Sequence, residues 1–151
     1  MRTERLAVLK ILAALKGATS KIHIAVDEVG YPVRIIITAG TVNDCTKADA
    51  LTEGISHDIL IADRGHDTSA IIEAALENDV IVVIPPRKNR KEQRRYSKEL
   101  YRLRHRVENA FEVLKRWRGI ATRFVKHTTS FLAAVQIACV AAWGKYIVDR
   151  P

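Results

Sequence analysis

The chain has 151 residues, 48% of them hydrophobic, and carries 25 Lys and Arg against 17 Asp and Glu for a formal net charge of +8. That size and apolar content suit one compact domain with a real core. Two cysteines, Cys45 and Cys139, exclude a disulfide framework, and no Cys or His pair has the spacing of a structural zinc site, so the composition fits a reducing cytoplasm.

Met1 to Lys16 is rich in Leu, Ala, Lys and Arg, holds no Gly or Pro, and predicts a helix. Residues 1–20 are read as an extension and 21–151 as the domain proper. From Lys21 the period changes. Ile22, Ile24 and Val26 alternate with Lys21, His23 and Ala25 as in a half-buried strand, DEVGYP turns the chain, and Val33 to Thr38 returns, which predicts an antiparallel hairpin. Lys47 to Leu51 begins a short helix with Asp44 or Thr46 as its cap. Ile59 to Ala62 is an apolar strand with Asp63 at its end and Gly65 turning the chain directly afterwards. Groups just past the carboxyl end of such a strand face an open crevice, where α/β folds place their chemistry.

Asp67 or Thr68 caps a helix through Asn78, Val80 to Ile84 forms a buried strand, and Pro85-Pro86 ends it. A basic loop follows, Arg87 to Arg95. Charge is divided unequally between the halves. Residues 1–84 hold 8 Lys or Arg and 12 acids, a balance of −4, whereas residues 85–151 hold 17 and 5, a balance of +12. Most of the excess lies between Arg87 and Lys126. A local basic surface of this kind points to nucleic-acid phosphates, contacted electrostatically and largely without regard to sequence. Arg87, Lys88, Arg90, Lys91, Arg94, Arg95, Lys115 and Arg118 are its candidate DNA-binding residues.

Tyr101 to Lys115 predicts a two-faced helix. Leu103, Val107, Ala110, Leu114 and Trp117 fall within roughly 80° of one another as a core stripe. Tyr101, Arg104, Glu108 and Lys115 fall within about 60° on another side. Gly119 is expected to cap this helix, and Thr128 to Ser130 to cap the last one. The apolar run from Phe131 to Trp143 is short of the roughly 18 to 20 residues of a membrane span and is expected as a buried helix; no signal-peptide pattern and no membrane partner are expected.

Charges opposite an apolar stripe occur on any amphipathic helix, so periodicity alone does not assign Glu108 a role. The order Tyr-x2-Arg-x3-Glu-x6-Lys, however, resembles the signature of bacterial insertion-sequence transposases with an Asp-Asp-Glu active site. The resemblance continues through IADRGHD and RKNRKEQRRY and runs from about Lys21 to Trp143. It implies a ribonuclease-H-like α/β fold, here incomplete at the N-terminus, and a metal-dependent chemistry of DNA cleavage and strand transfer supported by Mg²⁺ or Mn²⁺. By resemblance, Asp63 matches the family's second Asp and Glu108 its Glu; both would be metal ligands, with Tyr101, Arg104 and Lys115 as the signature's supporting residues. Glu112, four residues on, is a weaker rival that lacks the spacing match. His66 stands where family members commonly have Tyr.

The family's first catalytic Asp belongs on a strand upstream of the Lys21 hairpin, where the only acid is Glu4. Asp27 and Asp44 fall in the hairpin turn and the loop after it. The chain therefore looks like the C-terminal part of a transposase, from a second reading frame or a decayed copy, and inactive alone. The expected partners are double-stranded DNA at transposon ends and target, an upstream-frame polypeptide supplying the missing strand and Asp, and further copies of the chain in the active state. The alternative reading is a non-enzymatic DNA-binding remnant. In a ribonuclease-H-like sheet the absent strand lies between the hairpin and the strand bearing Asp63, and Leu6 to Leu12 would have to act as a strand against its helical composition to fill that place.

Overall fold

The computed structural model describes residues 20–122 and 127–148. The helix expected over Met1 to Lys16 and the acid Glu4 lie outside them. Strands β1 (Ser20–Val26) and β2 (Pro32–Ala39) form the antiparallel hairpin, with Ile22 opposite Ile37 and Ile24 opposite Ile35. The turn between them is held by one carboxylate. Asp27 Oδ1 accepts the backbone N–H groups of Val29, Gly30 and Tyr31 at 3.0, 2.9 and 2.8 Å. Gly30 sits at φ +105° with its backbone against Arg106, where a Cβ would stand 3.2 Å from the Arg106 Cβ. Only glycine meets both demands without strain.

A 3₁₀ turn over Asp44–Lys47 leads into α1 (Ala48–Thr52). Neither Asp44 nor Thr46 caps it as expected; the Thr46 hydroxyl instead donates to the Asn43 carbonyl at 2.7 Å. Strand β3 (Ile59–Ile61) pairs in parallel with β4 (Ile81–Val83), joined by the crossover helix α2 (Ser69–Glu77) that a parallel pair requires. Thr68, not Asp67, caps α2, its Oγ1 accepting from the Ile71 N–H at 3.3 Å. β4 is shorter than Val80 to Ile84, and Ile81 points outward at 57% exposure.

Among the described residues no ladder joins β1 to β3, so the strands form two separate two-stranded sheets. The two sheets nevertheless share both faces. Ile22, Ile24 and Val26 of β1 pack in one cluster with Ile59 and Ile61 of β3. Ala25 of β1 packs in a second cluster with Leu60 and Ala62. Since successive side chains on a strand point to opposite sides, this alternation defines two layers, with α1 and α2 covering one face and the C-terminal helices the other. The result is a mixed α/β architecture.

The C-terminal helices are α3 (Lys98–Tyr101), a 3₁₀ turn over Arg102–Arg104, α4 (His105–Lys115), α5 (Arg118–Ala121) and α6 (Thr128–Val148). Ser97 caps α3, accepting the Leu100 N–H at 3.2 Å. The predicted stripe packs as expected through Leu103, Val107, Ala110 and Leu114. Trp117 departs from it. It follows the end of α4 and is 43% exposed, its ψ of 106° turns the chain onward, and Gly119 then lies inside α5 and not at a helix end. Thr128 to Ser130 are likewise within α6. That helix is buried on one side only. Phe131, Val135, Ala138 and Cys139 enter the core, while Ile137 and Val140 are 61% and 70% exposed. No described helix is long and apolar enough to cross a membrane.

One buried group makes the fold sensitive to acid. His23 on β1 is fully buried; its Nε2 lies 2.8 Å from Thr38 Oγ1, and its Nδ1 has no partner among the described residues. Burial lowers its pKa from 6.5, with Lys21, His66 and Lys47 acting in the same direction against Asp44. A base with a depressed folded pKa contributes stability above its unfolded value and loses it as pH falls through the folded one. The denaturant midpoint should therefore drop on acidification from about pH 7.5 to about 5.5, and His23→Gln should lessen that drop. An identical pH profile for the variant would show that His23 takes no part.

Candidate active site

Asp63 follows β3 by two residues and opens a tight turn. Its backbone is extended (φ −79°, ψ 173°), and its Oδ1 accepts the Gly65 N–H at 3.0 Å and the His66 Nδ1 at 2.8 Å. Gly65 is there for space. A Cβ at that position would lie 3.1 Å from Asp63 Oδ1 and press on the carboxylate. His66 is buried behind the turn, so the imidazole fixes one carboxylate oxygen from the protein side while the Asp63 side chain remains 25% exposed.

Glu108 lies in the first turn of α4, and its Oε1 pairs with Arg104 Nη2 one turn earlier. The guanidinium of Arg104 also stands over the Tyr101 ring, 5.7 Å from its centroid, in cation–π range. Tyr101 in turn meets Tyr96 edge to face at 5.6 Å. Burial raises the Tyr101 pKa above 10.0, the Arg104 charge works against this, and Asp63 works with it. Tyr101 is thus in ring contact with the partner of Glu108. At neutral pH its phenol is a neutral donor. Tyr101, Arg104 and Glu108 come together as the spacing predicts, across the Arg102–Arg104 3₁₀ turn.

Lys115 does not join them. Its Nζ bonds Glu112 Oε1 at 2.9 Å on an exposed part of α4, with the two side chains 45% and 65% exposed. Glu112 is therefore engaged by Lys115 and not by Arg104. Of the other nearby acids, Asp27 is consumed by the hairpin turn, whereas Asp44 contacts Lys21 Nζ at 2.9 Å in a turn that packs against Arg64–His66. Among the described residues no three His, Cys, Asp or Glu side chains form a group that could hold a metal ion.

The basic segment contains a feature that local sequence could not reveal. Asp67, with its carboxylate fully buried, accepts the Arg87 backbone N–H at 2.7 Å and pairs with Arg90 Nε at 3.0 Å and Arg94 Nη1 at 3.3 Å. Arg87 Nη2 reaches the Gly65 carbonyl at 2.9 Å, and Arg94 Nη2 the Ile84 carbonyl at 2.7 Å. Arg90 and Arg94 are thus turned inward. Lys88, Lys91, Arg95 and Arg118 are exposed. A short helix cap was the only role its position next to Thr68 suggested for Asp67. Its partners stand 20 or more residues downstream.

Residues 15–143 match the family model for the transposase DDE domain. A Brucella ovis protein, "Putative transposase for insertion sequence element IS6501", is 35% identical over 131 residues, which cover 83% of this chain and 98% of that protein.

Proposed function

The chain belongs to the insertion-sequence transposases with a DDE domain, and from that premise we propose that Asp63 and Glu108 are two metal-binding carboxylates of a ribonuclease-H-like DNA cleavage and strand-transfer site. The observations that carry this reading are the partly exposed Asp63 carboxylate held just past the end of β3 and the grouping of Tyr101, Arg104 and Glu108 at the first turn of α4. Two carboxylates fit Mg²⁺ or Mn²⁺, since such ions take oxygen ligands and are often bound through one or two carboxylates and several waters. When bound, the metal pair supplies Lewis acidity to the attacking and leaving oxygens of a phosphodiester.

The chain's own residues do the positioning. His66 and the Gly65 N–H orient the Asp63 carboxylate from behind, Arg104 orients Glu108, and the Tyr101 ring backs the Arg104 guanidinium. The carboxylates should lie within roughly 8 Å of each other to share a site. The exposed cations beside this site would hold the phosphates of the transposon ends and target, in a cytoplasmic, nucleoid-bound complex.

A third carboxylate is supplied in this reading by an upstream-frame polypeptide, whose strand enters between β1 and β3. The absence of a ladder between those strands among the described residues, despite their shared cores, supports that place for it. A further copy of the chain completes the active assembly.

Two measurements test the proposal. Duplex DNA binding should weaken with salt at a log–log slope of about −0.9 per phosphate neutralised, and Lys88→Glu, Lys91→Glu and Arg95→Glu together should reduce it. Binding indifferent to salt would rule out the phosphate surface. On DNA carrying the element's ends, the chain with its upstream polypeptide and Mg²⁺ should cleave, the chain alone should not, and Glu108→Gln should lower cleavage at least about a thousandfold. DNA binding without cleavage in either mixture would identify a non-enzymatic remnant. Cleavage by the chain alone would show that its own Asp27, Asp44 or Glu4 completes the site.

A further inference from the structure

The segment from Arg87 to Arg95 has three basic doublets, Arg87-Lys88, Arg90-Lys91 and Arg94-Arg95. In each, the first residue is bonded to the protein, Arg90 and Arg94 half-buried and Arg87 exposed, while the second is exposed. Arg87 is bound to Asp67 by its backbone and to the Gly65 carbonyl by its side chain, Arg90 and Arg94 pair with Asp67, and Arg94 also holds the Ile84 carbonyl. Gln93 ties the segment to itself by donating to the carbonyls of Arg87 and Arg90 at 3.0 and 2.9 Å. Lys88, Lys91 and Arg95 are exposed and have no ion pair among the described residues. The segment has no helix or strand to hold it, so its shape depends on these bonds.

A fully buried carboxylate is stable only when its charge is paired and its oxygens are hydrogen-bonded. Asp67 achieves this with donors from a single downstream segment, and it lies two residues beyond Gly65, in the turn that Asp63 opens. One buried charge therefore fixes a whole basic segment beside that turn. We propose that Asp67 is a positioning residue for DNA: it clasps Arg87, Arg90 and Arg94 so that Lys88, Lys91 and Arg95 form a phosphate-binding rim leading to Asp63. This rests on the DNA-binding reading above and adds to it the group that sets the geometry of the rim. The inner arginines serve the protein, and the outer cations serve the nucleic acid.

The sign of one substitution separates this from simple electrostatics. Asp67→Asn removes an acid, which by net charge alone should leave duplex binding unchanged or tighten it. The clasp requires the opposite. Affinity of the full chain for duplex DNA should fall about tenfold or more, with a shallower salt slope, because the rim no longer presents its cations together. In a Lys88→Ala, Lys91→Ala, Arg95→Ala background the same substitution should change affinity less than about twofold, since the groups through which Asp67 acts are gone. Arg90→Lys keeps the charge and loses the Nε bond to Asp67, so it should weaken binding about threefold and gives the answer if Asp67→Asn does not fold.

Tighter or unchanged binding by Asp67→Asn, or wild-type binding by Arg90→Lys where Asp67→Asn does not fold, would overturn the proposal. So would an equal loss from Asp67→Asn with and without the outer cations, which would mark Asp67 as a structural residue only. A wild-type chain that binds no duplex DNA would instead defeat the functional reading itself, and the rim with it.

Discussion

The arrangement depends on the way β1 and β3 divide their side chains between two cores. Ile22, Ile24, Ile59 and Ile61 face the C-terminal helices, whereas Ala25, Leu60 and Ala62 face α1 and α2. A one-residue slip of either strand would therefore send each set into the core packed for the other. That constraint fixes where β3 ends and so where Asp63 emerges. On the other side, Val107, Ala110 and Leu114 fasten α4 to the first core and set the direction in which Glu108 can point. Two carboxylates far apart in sequence are governed by one packing pattern.

Polar interactions then act locally on what packing has positioned. Asp63, Asp27 and Asp67 are acids close to turns, yet they do different things. Asp27 satisfies three backbone N–H groups and is structural; Asp63 is held through Oδ1 by Gly65 and His66 and stays partly exposed; Asp67 is fully buried among cations. Exposure distinguishes them. A carboxylate kept at the surface by a buried histidine remains accessible to a ligand, whereas one sealed between arginines can only organise its neighbours.

Much of the fold was legible because its signals are local. The alternation around Ile22, the turn at Gly30, the strand before Asp63 and the cap at Thr68 are each written within a few residues, and a mixed α/β order follows from them. The Tyr101, Arg104, Glu108 grouping was legible for the same reason, being set by helical spacing. Lys115 shows the limit of that reasoning: the wheel places it on the side of Glu108, but Glu112 is only three residues away and takes its ammonium. Trp117 lies beyond the end of α4, where its own ψ of 106° turns the chain, and α6 buried only one of its two apolar sides. Asp67 was illegible because its partners are remote in sequence; a sealed carboxylate and a helix cap look alike until the segment from Arg87 to Arg94 is folded onto it.

In the function proposed above, Asp63 and Glu108 share a bound metal ion. Mn²⁺ binding to the chain, followed by the loss of the free-ion electron paramagnetic resonance signal, tests it directly. If the two carboxylates share an ion, Asp63→Asn and Glu108→Gln should each weaken binding, and the double variant should lose little more than either alone, because groups acting as a unit are not additive. Mn²⁺ affinity unchanged by Glu108→Gln, or two independent losses that simply add, would contradict the account.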